Sequence, residues 1–437
     1  MFTRRTFLTS VGAGLTIPSL AVAAPPPPTL SPQGGEGRGR GRRQRKKMAV
    51  VTTEWRFGSH AWHMAERFLV GYPIKRKWHQ PGLEVVSAYV DQKPKADLSG
   101  KRAEEFGFKI YPTIAEALRL GGDKLAVDAV LVIGEHGNYK RNELGQTQYP
   151  RYEFFKQVTD VFKKDGRTTP VFSDKHLSWK WEWAKEMVET ARALKFPFLA
   201  GSSLPVTWRM PALDMPYGAE VEEVLCVAIG GIDSYDFHAL ETIQCMAERR
   251  RGGETGVTAL QALRGGAVWK AMKGGSWDKG GWDSRLFEAC LARSHTLTQP
   301  ATFSHRYPTS RQIREWVKDP VAYRFEYADG LRATMLLMNG LVGDFTFAAR
   351  FKGQAEPLST LFYLPPNPNV VYSAALMSKV EQMFLTGKAP YPIERTLLTT
   401  GLVAAGVKSL ADDQKRLKTP HLAIRYQAPR ASTFWQE

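Results

Sequence analysis

The chain has 437 residues, 43% hydrophobic and 24% charged, the balance of a globular protein with room for two ordinary cores. Its net charge is +17, but residues 1–47 alone carry nine Lys/Arg and one Glu, so about half of the excess lies outside any segment that can build a core. The rest of the chain favours anionic partners or surfaces; no recognised nucleic-acid-binding motif accompanies it, and nucleic-acid binding is not expected. Three cysteines, Cys226, Cys245 and Cys290, with no Cys-x-x-Cys, exclude a disulfide framework. One disulfide stays open, and buried free thiols are the plainer reading, since Cys226 sits in a strand-like run and Cys245 in a helix-like one.

The N-terminus reads as an export signal. Thr3-Arg4-Arg5-Thr6-Phe7-Leu8 is a twin-arginine pattern, an apolar run follows from Val11 to Val22, and Ala21-Val22-Ala23 offers small-residue cleavage. The run is short and glycine-rich for a membrane span, so no stable span is expected; an uncleaved anchor is the other reading. The expectation is therefore a protein exported by the twin-arginine route, to the periplasm or beyond, with residues 1–23 as signal. Residues 24–47 are expected to be a linker: Pro25–Pro28 is extended, and the Gly/Arg alternation from Gly34 to Lys47 cannot bury a core.

Order is expected from Met48. Ala49–Thr53 is a short β-branched strand, Ser59–Val70 is helix-compatible, and Leu83–Val90 is a second strand ending at Asp91. Gly100–Phe106 suits a helix and Ile110-Tyr111 a short strand. Thr113–Leu120 carries a capping-box signature, with Glu116 three residues after Thr113. Val127–Ile133 is a buried strand, Pro150–Lys164 an amphipathic helix, Thr169–Phe172 a strand, Trp179–Leu194 a helix and Phe196–Ala200 a strand. Near-continuous apolar strands alternating with helices specify a doubly wound parallel sheet of the Rossmann type over residues 48–205. After Pro205 the rhythm changes. Val221–Ile229 is a long strand, Phe237–Arg250 a helix, and Tyr323–Thr334 a hairpin turning at Asp329-Gly330. Asp344–Phe351 and Ser359–Leu364 add strands, and a helix over Ile393–Asp412 is expected to pack back near the junction. Residues 206–426 thus form an α+β domain with a largely antiparallel open sheet, and 427–437 a tail.

In such folds ligands sit at the carboxyl ends of the parallel strands. Asp91 ends the second strand, where an acid accepts both hydroxyls of an adenosine ribose and favours NAD over NADP; a surface aspartate starting a loop is the other reading. Lys175 follows the strand Pro170-Val171-Phe172, where it would hydrogen-bond a substrate hydroxyl and stabilise an alkoxide. His238 lies in a polar strand-to-helix turn, where an imidazole exchanges a proton near neutral pH. Asp233 or Asp236 would orient it, with helix capping the plainer role for Asp236. Glu135 and His136 end the third strand at the cleft edge; a metal site with His238 is a weak alternative, since the spacing is not diagnostic. Tyr149 and Tyr152 are candidates to donate to a substrate hydroxyl, with helix packing explaining Tyr152 equally well. Trp277 and Trp282 stand in a glycine-rich loop, where tryptophan either stacks on a sugar face or anchors the loop.

The order of these features resembles the glucose–fructose oxidoreductase/inositol dehydrogenase (Gfo/Idh/MocA) family. The carriers are Asp91, the run Phe106-Gly107-Phe108-Lys109-Ile110-Tyr111-Pro112-Thr113-Ile114-Ala115-Glu116-Ala117-Leu118, then Val127-Asp128-Ala129-Val130, and the late Gly387-Lys388-Ala389-Pro390-Tyr391-Pro392-Ile393-Glu394-Arg395. The resemblance spans roughly Met48 to Tyr426. Asp174-Lys175-His176 matches that family's Glu-Lys-Pro, keeping the catalytic lysine, and His238 matches the histidine of its second-domain motif. Ser234 stands where the motif has an Asp, with Asp233 beside it. The phosphate loop departs most: Thr53-Glu54-Trp55-Arg56-Phe57-Gly58 keeps one glycine, Gly58, and Glu54 puts negative charge where phosphate would lie, with Arg56 to offset it.

The resemblance implies an NAD(P)-dependent oxidoreductase acting on a sugar, cyclitol or glycoside hydroxyl, with Lys175, His238 and Asp233 as catalytic residues. Gly58, Arg56, Asp91, Glu135, His136 and Asp174 would face the cofactor, and Tyr149, Tyr152 and Trp277 the carbohydrate-like substrate. It also implies a homo-oligomer paired through the open face of the second sheet. The degraded glycine loop supports a rival reading, a carbohydrate-binding protein that has lost the nucleotide. A metal-dependent hydrolase or lyase is the weaker third.

Overall fold

The computed structural model describes residues 45–367 and 369–436. The twin-arginine segment and all but the last residues of the expected linker lie outside them. The first strand begins at Lys46, three residues before the expected strand start at Ala49, because Lys46 and Lys47 already pair with Leu83 and Glu84.

The first half runs β1 (Lys46–Thr52), α1 (His60–Met64), α2 (Glu66–Val70), β2 (Tyr72–Ile74), β3 (Lys77–His79), β4 (Leu83–Val90), α3 (Ser99–Phe106), β5 (Lys109–Ile110), α4 (Ile114–Arg119), β6 (Ala129–Ile133), α5 (Arg151–Asp165), β7 (Val171–Asp174), α6 (Trp181–Ala193) and β8 (Phe198–Gly201). Strands β2 and β3 form a hairpin that carries no strong sequence pattern. The other strands pair in parallel in the order β5-β4-β1-β6-β7-β8. Both faces are covered, which is why β6 is apolar at every position: Ala129, Leu131 and Ile133 enter one core cluster, Val130 and Val132 the other. The order in which strands are added reverses between β1 and β6, and that switch point opens a crevice at the carboxyl edge. The helix expected over Ser59–Val70 is broken at Ala65 into α1 and α2. Thr113 caps α4 by accepting from the Glu116 N–H at 3.1 Å.

The second half runs β9 (Trp208–Met210), β10 (Val221–Ala228), α7 (Tyr235–Ala247), β11 (Val257–Arg264), α8 (Gly266–Gly274), α9 (Ser284–Arg293), α10 (Ser310–Trp316), β12 (Val321–Tyr327), β13 (Arg332–Leu337), β14 (Phe345–Phe351), β15 (Leu358–Tyr363), α11 (Tyr372–Thr386), α12 (Glu394–Ala411) and β16 (Leu417–Lys418). Its eight strands are ordered β16-β11-β12-β13-β10-β14-β15-β9, antiparallel except for the β10–β13 pair. The β12–β13 hairpin turns at Asp329-Gly330, with Gly330 at φ +90°. Helices α7 and α12 cover one face. The other face, expected to be open for pairing, is covered by this chain's own α8, α9 and α10, through Val268, Leu286, Phe287, Leu291 and Ile313.

Helix α12 ties the two sheets together. The Thr396 hydroxyl donates to Ala200 O at the end of β8 at 2.8 Å, and Thr400 Oγ1 accepts from the Leu177 N–H at 3.1 Å. Arg395 and Glu248, both buried, pair at 2.6 Å where α12 meets the end of α7. Gly406 lets α12 lie directly on Tyr323: a Cβ there would stand 2.2 Å from the ring. The segment expected as a tail is docked, with Trp435 stacked on Trp208 at 5.3 Å between ring centres. All three cysteines are free and buried. Among the described residues no helix is long and apolar enough to cross a membrane.

Candidate active site

Strand β7 delivers Asp174 into the crevice, and the chain turns sharply at Lys175, whose φ is +70°. The turn is held by the Lys175 N–H donating to Gly201 O at 3.1 Å. His136, just after β6, and Asp233, just before α7, also have left-handed backbone, at φ +71° and +60°. Such conformations cost non-glycine residues about 1–3 kcal/mol and concentrate at working sites. Lys175 is buried, and its Nζ donates to His238 Nε2 at 2.5 Å. His238 comes from the first turn of α7. That turn is fixed by Asp236, whose Oδ1 accepts from the N–H groups of Ser234 and Phe237 at 2.9 and 2.8 Å and whose Oδ2 accepts from the Tyr323 hydroxyl. Asp236 is thus a structural acid.

A second pair faces the same space. His60 Nδ1 lies 2.5 Å from Asp174 Oδ2, and Asp174 is fully buried. His60 is the first residue of α1, held by Ser59, whose hydroxyl accepts from the Trp62 N–H. His60, His63, Asp174, Lys175, Ser202, Tyr235, His238 and Tyr372 are among the residues lining a cavity of about 110 Å³ between the two sheets. Buried polar atoms on three of these, His63 Nδ1, Asp174 Oδ1 and His238 Nδ1, have no partner within the chain. A concave site with convergent, unsatisfied polar groups suits a polar ligand.

The electrostatics favour neutral imidazoles. Burial and then Lys175 hold His238 well below its ordinary value, so Nε2 accepts from Lys175 and the proton sits on Nδ1. Burial and then His60 lower His63, and the same two causes push His136 down to about 4. Burial alone would raise the Glu135 carboxyl, but Lys175 and Arg151 outweigh it and hold it well below the carboxylate range.

The other expected site residues are engaged by other partners, each for a visible reason. Asp233 does not touch His238. It accepts from the Gln146 side chain and the Thr147 N–H at 3.0 and 3.1 Å, tying the loop after β6 to the start of α7. Burial and neighbouring Asp236 push it up to about 7. Glu135 pairs with Arg151, which also donates to His176 at 3.0 Å. Tyr149 packs on Tyr139 and under Arg151. Tyr152 stacks on Trp183 at 4.6 Å, cementing α5 to α6. Trp277 lies outside the cavity: its indole N–H donates to Glu326 and its ring is covered by Arg324 at 4.1 Å. Trp282 is a core anchor. Sequence reasoning missed His60. The signal available was a histidine opening the helix after the phosphate loop, which has no pattern of its own.

The residues at the nucleotide end fit a dinucleotide with one exchange. Asp91 stands exposed after β4, and its two oxygens accept from the Tyr89 and Tyr139 hydroxyls, each at 2.7 Å. A ribose diol makes the same two donations, so it replaces hydroxyl for hydroxyl. Gly58, at φ +73°, has open space where a Cβ would be, leaving its backbone approachable. Arg56 neutralises Glu54 at 2.6 Å. The missing glycines are explained by Trp55, which is fully buried and stacked on Phe108, so that this loop anchors the core instead of cradling phosphate closely. Among the described residues no cluster of three or more His, Cys, Asp or Glu is placed to hold a metal ion.

Neither a family model nor a curated protein matches the sequence. The structure, in contrast, is similar to several solved ones. GenD2 from gentamicin A biosynthesis, solved with NAD, is 13% identical, covers 88% of this chain and 99% of its own, and gives a TM-score of 0.54. A myo-inositol dehydrogenase from Corynebacterium glutamicum is 12% identical over 86% and 98%, at 0.52. The myo-inositol dehydrogenase of Lactobacillus casei, solved with NAD(H) and myo-inositol, is 13% identical over 86% and 96%, at 0.51. The chain shares the fold of these proteins, a parallel six-stranded sheet joined to a mostly antiparallel eight-stranded one.

Proposed function

We propose that the protein is an NAD(P)-dependent oxidoreductase acting on a hydroxyl of a sugar, cyclitol or glycoside. The observation that carries this reading is the Lys175–His238 contact of 2.5 Å, which joins a group at the end of β7 to one on α7 inside one cavity. The NAD bound to GenD2 and the NAD(H) and myo-inositol bound to the L. casei enzyme support the cofactor and the substrate class.

In this reading Asp91 holds the adenosine ribose, and Gly58 with Arg56 faces the phosphates. Bound nicotinamide supplies the acceptor for hydride from the carbinol carbon. Everything else falls to the chain. Lys175 donates to the substrate oxygen and stabilises the negative charge that grows there. His238, neutral and bonded to Lys175, positions that ammonium. The buried walls exclude water, which strengthens each of these interactions. Asp91 favours NAD over NADP, because a second carboxylate-facing phosphate would be repelled.

Export by the twin-arginine route is part of the proposal, on the strength of Arg4-Arg5 and the apolar run that follows. A folded protein leaving with its cofactor bound would recycle it within each turnover, which allows redox-neutral chemistry on a glycoside. Assembly as a homo-oligomer is also proposed, through a surface other than the sheet face that α8, α9 and α10 cover.

A second reading, carbohydrate binding without catalysis, draws on the Tyr89 and Tyr139 hydroxyls already seated on Asp91. Native mass spectrometry of the exported protein separates the two. A stoichiometric dinucleotide, or NAD+ binding by calorimetry, is expected; absence of both would overturn the oxidoreductase reading.

A further inference from the structure

We propose that His60, held by Asp174, is a second proton-transfer group of this site and takes the proton of the substrate hydroxyl. The proposal rests on the oxidoreductase reading for its chemistry and on independent geometry for its placement. His60 Nδ1 is 2.5 Å from Asp174 Oδ2, so Nδ1 carries a proton donated to the carboxylate and Nε2 is left as the basic nitrogen. Nothing in the described chain bonds that Nε2, and the His60 ring lines the cavity that Lys175 and His238 share.

The division of labour follows from what each imidazole already does. His238 Nε2 accepts from Lys175 and is not free to accept from a substrate. The ammonium of Lys175 is a donor to the substrate oxygen. A group that accepts the hydroxyl proton is still required, and His60 Nε2 supplies it. In the step, the substrate O–H bond breaks and an Nε2–H bond forms, while the electron pair stays on oxygen to become the carbonyl as hydride leaves carbon for a nicotinamide. Asp174 does not touch substrate. It is a positioning residue that fixes the tautomer and stabilises the imidazolium formed. The groups facing His60 are Asp174 from β7, Lys175 beside it, His63 from α1, Glu135 and His136 from the loop after β6, and His238 from α7. Of these, His63, His136 and His238 are held neutral near pH 7 by burial, and Asp174 is the acidic group in direct contact.

The test uses the full-length protein with NAD+ and a panel of inositols and methyl pyranosides, read by nicotinamide reduction. His60→Asn is expected to lower kcat by about 10²-fold or more with KM within about threefold, and to abolish the acidic limb of the kcat/KM pH profile. Asp174→Asn should lower kcat by about tenfold and remove the downfield Nδ1 proton signal of His60 in the NMR spectrum. A His60→Asn enzyme with kcat within threefold of wild type, or with its acidic limb intact, would overturn the proposal. If the wild type turns over no member of the panel, the oxidoreductase reading fails separately. His60 is then judged by labelled-histidine NMR with myo-inositol as probe: a shift at Nε2 on addition supports its role at the site, and none refutes it.

Discussion

Lys175 and His238 meet at 2.5 Å although they are 63 residues apart, one just after β7 and the other on α7. Lys175 is delivered by the end of β7 through a left-handed turn, and His238 by the first turn of α7, whose start is fixed by Asp236. The contact therefore reports the register of the whole crevice, and disturbing either support is equivalent to moving a site atom.

Removing the ammonium should damage chemistry rather than cofactor binding. Lys175→Ala is expected to lower turnover by about 10²–10⁴-fold while the NAD+ dissociation constant changes by less than about threefold. Calorimetry together with steady-state rates checks this, and unchanged turnover would remove Lys175 from the mechanism.

The Tyr139 hydroxyl donates to Asp91, so in the oxidoreductase reading it would compete with a ribose for that carboxylate. Tyr139→Phe should tighten NAD+ binding about threefold to tenfold by freeing one carboxylate oxygen, and Asp91→Ala should weaken it by more than tenfold. Tighter binding in neither variant and no loss in Asp91→Ala would place the ribose elsewhere.

Glu241 sits beneath the site, accepting from the Ser202 N–H and hydroxyl at 2.8 and 2.5 Å. Burial pushes it up from 4.5 to about 7. The folded state thus keeps a proton that the unfolded chain loses above about pH 4.5. The associated stability is present at low pH and is lost as pH rises to about 7. Glu241→Gln keeps the acceptor without the charge, so its stability relative to wild type should rise by about 1–3 kcal/mol between pH 4.5 and 8. Denaturant titrations across that range measure it; parallel curves for the two proteins would mean that Glu241 ionises normally.

The Arg395–Glu248 pair is buried at both ends, with two contacts at 2.9 and 2.6 Å and a Tyr426 hydroxyl on the same carboxylate. Arg395→Met leaves Glu248 uncompensated and should cost about 3–5 kcal/mol. Replacing both partners together, as Arg395→Met with Glu248→Leu, should recover part of that loss. Thermal unfolding of the three variants decides it, and a harmless single substitution would show that α12 is not held this way.

The sequence by itself determined the parallel sheet, because runs such as Ala129–Ile133 and Leu83–Val90 record burial on both faces of a strand. It also placed Asp91 and Lys175 at strand ends and His238 at a helix start, since turn residues and the change of period mark where each element stops. It showed the Asp329-Gly330 hairpin through local turn chemistry. Helix α11 and strand β11 had no such mark: their pattern is shared with buried segments of either kind, and only packing against a sheet chose between them. Partners were decided by tertiary structure alone. Asp174 meets His60 across 114 residues, Asp91 takes Tyr139, and Asp233 turns from His238 to Gln146 and Thr147. A residue's type and spacing state what it can bond. Which group stands within 3 Å of it depends on strand order, on the left-handed turns at His136, Lys175 and Asp233, and on α12 holding the two sheets face to face.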